Sequence, residues 1–142
     1  MITPEKSDVD IRERSPLALA FLGDGVLELL VRNRLVAVGR LSPGAMHTQA
    51  VRIVSAHGQS AALETLQPHL TEKENEIVRR GRNANKASVS KHATVQEYRA
   101  STGLEALFGW LYLQNEQERI EELFDYIWQW YLSNEGKPVK KP

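Results

Sequence analysis

An all-helical domain is predicted by three observations on the 142 residues. Apolar residues recur at spacings of three and four along most of the chain, two serine–proline pairs and two capping boxes mark helix starts, and no stretch alternates with period two between hairpin turns. Ser15 and Pro16 supply an N-cap and a proline at the first helical position, where a missing N–H costs nothing. They open a helix over residues 16–38, which Gly23 and Gly25 either bend or divide in two. Ser42 and Pro43 repeat the signal and open a helix to residue 57, with Ala45, Val51, Val54 and Ile53 inward. A shorter helix is expected over residues 60–66. Thr71 with Glu74, and Thr94 with Glu97, are T-x-x-E boxes that start helices over residues 72–82 and 95–113. Leu104, Leu107, Phe108 and Leu111 are the core candidates of the latter. The last helix carries Ile120, Leu123, Phe124, Ile127, Trp130 and Tyr131 as an amphipathic stripe and is expected to end near residue 132. No internal repeat is present, so residues 1–14 read as an N-terminal extension, 15–133 as one domain and 134–142 as a disordered tail.

Composition narrows the function. The absence of cysteine excludes a disulfide scaffold, a zinc ribbon and thiol catalysis. No apolar run reaches the length of a membrane span, and the mixed-charge start has no signal core, so a cytoplasmic protein without membrane attachment is expected. The 18 basic and 18 acidic residues cancel, yet they are segregated. Residues 79–99 hold six bases (Arg79, Arg80, Arg82, Lys86, Lys91, Arg99) against Glu97, whereas residues 116–125 hold five acids against Arg119.

Two acids stand inside apolar helices, Asp24 in SPLALAFLGDGVLELLV and Glu105 in STGLEALFGWLYL. A carboxylate on a packing face must find a cation, a proton or several donors. On a helix, Asp24 shares its face with Leu17, Ala20, Phe21, Leu27, Glu28 and Val31, and the flanking glycines leave room for another backbone, a metal or a phosphate. The alternative is a G-D-G turn in which Asp24 is an N-cap. Glu105 shares its face with Ser101, Thr102, Phe108, Gly109 and Tyr112, or else it is a solvated helix-face glutamate. Two carboxylates converging from different helices would suit magnesium, which takes oxygen ligands, keeps several waters and can be completed by substrate phosphates. His47, His57, His69 and His92 lack metal spacing, and no phosphate loop, dinucleotide fingerprint or nucleophile elbow occurs. Around Arg79, Arg80, Arg82, Asn83, Lys86 and Lys91 the chain is either a solvated loop or an arm that neutralises a nucleic-acid backbone.

FLGDGVLELLV resembles the signature helix of the ribonuclease III catalytic domain, and STGLEALFGWLYL resembles its second acidic helix, in matching order over residues 15–132. RRGRNA at residues 79–84 is similar to the compact mini-ribonuclease III branch, which lacks a double-stranded-RNA-binding domain; with only about ten residues after the last helix, none is expected here. The resemblance implies a ribonuclease III-like helical bundle acting as a homodimer, with Leu17 and Phe21 at the interface or, alternatively, in an ordinary core. It also implies magnesium-dependent hydrolysis of double-stranded RNA, with Asp24 and Glu105 as catalytic residues and metal ligands and precursor ribosomal RNA (23S) ends as substrate. The chain departs from the larger members at Ala20 and Thr102, where they carry two further acids. Two other readings remain open: a non-catalytic RNA clamp on the same fold that assists ribosome assembly, and a helical interaction module whose acidic last helix docks a basic partner.

Overall fold

The structure, a computed structural model, describes residues 2–84 and 93–135. Among these, six α-helices form the domain and no strand occurs. Ser15 caps α1 (Pro16–Val38) by accepting from the N–H of Ala18, and α1 runs unbroken through Gly23 and Gly25. The expected division there is therefore absent, and Asp24 lies in mid-helix rather than at a cap.

Ser42 caps α2 (Pro43–Val54) through the N–H of Ala45. Ser55 then does two jobs. Its backbone N–H donates to the Val51 carbonyl to close α2, and its side chain accepts from Gly58 to open α3 (Ala56–Leu66). The boundary expected between residues 57 and 60 is thus at Ser55, and His57 belongs to α3. Gly58 makes this corner possible, because a Cβ there would strike the carbonyl of Arg52. In α2, Ala50 joins Ile53 in the core, while Ala45, Val51 and Val54 are only half-buried.

After a 3-10 turn at Gln67–His69, the Thr71–Glu74 box opens α4 (Glu72–Ala84). The Thr94–Glu97 box opens α5 (Val95–Leu113), and Glu97 also meets His57 at 2.7 Å, joining α3 to α5. Asn115, at φ 57°, turns the chain into α6 (Gln117–Glu135), which takes in Asn134 and Glu135 from the expected tail. The remainder of that tail lies outside the described residues.

α5 is the central element, packed most extensively on α1 and then on α4 and α3. Leu104, Leu107, Phe108 and Leu111 are all buried, as are Ile120, Leu123, Phe124, Ile127 and Tyr131 of α6; Trp128 joins them, and Trp130 is only partly covered. The acidic face of α6 is partly engaged inward. Arg34 of α1 bonds Asp125 at 3.0 Å and sits over the Phe124 and Trp128 rings.

One buried ion pair ties α4 to α6. Arg119 donates to Glu74 Oε1 at 2.7 Å and Oε2 at 2.8 Å, and to the His69 carbonyl at 2.7 Å. Burial alone would push the Glu74 carboxyl up, but the bonds from Arg119 and Thr71 hold it below its ordinary value. Arg119→Met is expected to cost about 3–5 kcal/mol by stranding a buried carboxylate. In urea titrations, Glu74→Gln added to that variant should recover much of the loss. Equal stability of Arg119→Met and wild type would refute the pairing.

Candidate active site

The site begins with two glycines. A Cβ on Gly23 would strike the backbone carbonyl of Glu105, and one on Gly109 would strike that of Leu19. Lacking side chains, these residues let α1 and α5 cross with their backbones in contact, and the crossing brings Asp24, next to Gly23, up to Glu105.

The two acids are buried to different degrees. Glu105 is half-buried, whereas Asp24 is exposed, so the pair is not fully buried and only Glu105 is substantially withdrawn from water. The Asp24 carboxyl is nevertheless raised, first by partial burial and then by Glu28 one turn along. Glu105 is pushed up to about 7: burial is the main cause, a hydrogen bond from Gln59 opposes it, and the charges of Asp24 and Glu28 add to it. The three carboxylates share one negative field, which a cation would relieve. Glu28 is also anchored by Arg32 at 3.0 Å.

Ala20 and Thr102, where the resemblance leads one to expect two further acids, supply no charge. Ala20 is packed with Leu19, Ile77 and Ala106. Ser101 and Thr102 are buried and donate back to the Tyr98 carbonyl at 2.9 and 3.0 Å, so their hydroxyl hydrogens are directed into their own helix. Gln59 was not foreseen. It is 2% exposed, and its Nε2 donates to Glu105 Oε2 at 3.0 Å and to the Val54 carbonyl at 2.9 Å. No short-range pattern marks it, because its partner is distant in sequence. Glu28 did have a signal, its position four residues after Asp24.

The basic region reaches the same neighbourhood. Gly81 packs on Gly103 and on the Thr102 carbonyl, and the Arg82 stem lies over Gly103, two residues from Glu105. Arg79 and Arg82 line a groove with Gln67, Glu72, Asn75 and Glu76. Asn83 is exposed and Arg80 is half-buried, about 100° round the helix from Arg79. Lys86 and Lys91 lie outside the described residues. Of the other expected residues, Leu17 is 50% exposed and Phe21 86% exposed, so neither belongs to the core of this chain. No helix of the described residues is long and apolar enough to cross a membrane.

Comparison with known proteins agrees with this architecture. The family model for the ribonuclease III domain matches residues 17–116. The mini-ribonuclease 3 of Symbiobacterium thermophilum is 48% identical over 76% of this chain and 83% of its own length. That of Enterococcus faecalis is 36% identical over 93% and 98%. A crystal structure of a Fusobacterium nucleatum protein superposes with a TM-score of 0.76 at 31% identity, covering 84% of this chain and 96% of that one. A domain match over most of the chain, with mini-ribonuclease 3 relatives 48% and 36% identical over most of their own lengths, places the chain in the ribonuclease III family, on its mini-ribonuclease III branch, as an endoribonuclease.

Proposed function

We propose that the chain is a homodimeric, magnesium-dependent endonuclease of double-stranded RNA that acts in the cytoplasm on the ends of precursor 23S ribosomal RNA. The observation that carries this reading is the crossing at Gly23, which sets Asp24 and Glu105 in one negative field. Oxygen donors without histidine or thiol suit a hard cation. Among the described residues no three His, Cys, Asp or Glu side chains are grouped closely enough to hold a metal by themselves, so water and RNA phosphate would complete the coordination of a metal held by Asp24 and Glu105. Such a lean site calls for millimolar rather than micromolar magnesium. When bound, the ion supplies a water of lowered pKa and neutralises charge developing on the phosphate. A-form RNA would be held through phosphates and 2′-hydroxyls. Arg79, Arg80, Arg82, Asn83, Lys86 and Lys91 are the proposed contacts.

The test is cleavage of a long RNA duplex. Wild type is expected to cut with magnesium and not with a chelator, and Asp24→Asn is expected not to cut. Because a proton on Glu105 competes with the cation, the rate at limiting magnesium should fall about tenfold per pH unit below about 7. The limb should move to lower pH as magnesium saturates. Full cutting by Asp24→Asn would sink the reading, and a rate flat with pH at limiting magnesium would remove Glu105 from the metal.

The dimer is supported by the exposed apolar side chains along α1, among them Leu17, Phe21, Leu29 and Val36. Cutting both strands of a duplex needs two copies of the site, which a two-fold axis provides. Phe21→Glu is expected to sediment as a folded monomer, since Phe21 makes little contact within its own chain. A variant that remains dimeric would place the interface elsewhere.

A further inference from the structure

Gln59 is a buried amide with an unusual imbalance. Both hydrogens of its Nε2 are used, one on Glu105 Oε2 and one on the Val54 carbonyl, while its buried Oε1 has no partner among the described residues. A buried carbonyl left without a donor costs about 1–3 kcal/mol, so such a group calls for a reason. Turning the amide over would not help, because Oε1 would then face the Val54 carbonyl, an acceptor. The Val54 carbonyl therefore dictates that the N–H side of the amide faces Glu105.

The surrounding corner is built to hold the amide there. Ser55 ends α2 and starts α3, Gly58 lets the start of α3 lie against the Arg52 carbonyl, and the Gln59 backbone N–H bonds the Ser55 carbonyl at 2.8 Å. Gln59 is thus fixed at both its backbone and its amide, within the start of a helix rather than on a loop. One Glu105 oxygen, Oε2, is committed to it. In a site that lacks two of its family's acids, alignment of the remaining ones matters more, and metal ligands depend on outer partners for their orientation.

We propose that Gln59 is a positioning residue for RNA cleavage, its amide holding the Glu105 carboxylate in the rotamer that receives the divalent cation. The inference rests on the reading of Asp24 and Glu105 as the acids of a metal-assisted nuclease. It differs from that reading in placing part of the function on α3, beside the α2–α3 corner, rather than on either acidic helix.

Gln59→Met keeps the volume of the side chain and removes its hydrogen bonds. Gln59→Asn keeps an amide and shortens its reach, so the outcome does not depend on one variant folding. Both are expected to raise the magnesium concentration for half-maximal cleavage about 10–100-fold. The affinity for Mn2+ alone, read from the free-ion EPR signal, should weaken to a similar extent. Duplex affinity in chelator and kcat at saturating magnesium should stay near wild type. In a Glu105→Gln background, Gln59→Met should have no further effect on Mn2+ affinity. Wild-type metal dependence in both variants, or an undiminished effect in the Glu105→Gln background, would overturn the positioning role while leaving the nuclease reading intact. A wild type that neither binds Mn2+ nor cuts duplex would overturn the nuclease reading itself, and this inference with it.

Discussion

Glu105→Gln is expected to abolish cleavage and, at pH 8, to make the protein more stable. The first effect follows from removing one of the two acids proposed to hold the metal, and a loss of about a thousandfold or more is expected. The second follows from the cost of keeping that charge half-buried beside Asp24 and Glu28. Between the ordinary glutamate value of 4.5 and the folded value of about 7, the folded chain holds a proton that the unfolded chain has released. Stability therefore falls as pH rises through that window, and the penalty is fully present above it. Glutamine cannot ionise, so the gain should be on the order of 2 kcal/mol at pH 8, allowing for the partial exposure of the group, and should vanish near pH 4.5. Thermal melts of metal-free protein at the two pH values test this. A variant no more stable than wild type at pH 8 would show that the carboxylate is not strained by its site.

Gly23→Ala should damage both structure and activity, whereas Gly25→Ala, two residues away, should do neither. At Gly23 the added methyl meets the Glu105 carbonyl, which is backbone and cannot move to another rotamer, so α1 and α5 must part. Overpacking of this kind costs about 1–3 kcal/mol. The displacement falls at the acids, where a shift of about 1 Å can lower the rate a hundredfold. At Gly25 a Cβ meets nothing within 4 Å, and alanine should add about 0.5–1 kcal/mol through its helix preference. Melting curves and cleavage rates of the two variants give a direct contrast. A fully active Gly23→Ala would show that the crossing does not set the site.

What could be read from the residues was what depends on neighbours in sequence. Ser15–Pro16, Ser42–Pro43, Thr71–Glu74 and Thr94–Glu97 act within one helical turn, and all four start helices at the expected places. Ser55 sits in a stretch with neither proline nor a capping box, so the α2–α3 corner was misplaced by a few residues. Gly23 was ambiguous for a different reason: a glycine that breaks a helix and one that admits another helix look alike until the partner is known. The same limit applies to the site. Asp24 and Glu105 could be picked out by their apolar surroundings, but the exposure of Asp24 and the grip of Gln59 depend on how α1, α3 and α5 meet.

The dominance of the α1–α5 contact has a consequence for synthesis. These helices are separated by more than a third of the chain, so α1 leaves the ribosome without the principal partner of its inner face and waits several seconds, at about 5–20 residues per second, until α5 follows. During that interval the nascent chain shows apolar surface on both sides of α1, the inner side that α5 will cover and the outer side around Phe21. It also carries Asp24 without Glu105. A half-made copy is therefore prone to aggregate and chemically idle, and nuclease activity begins only once the fold has closed.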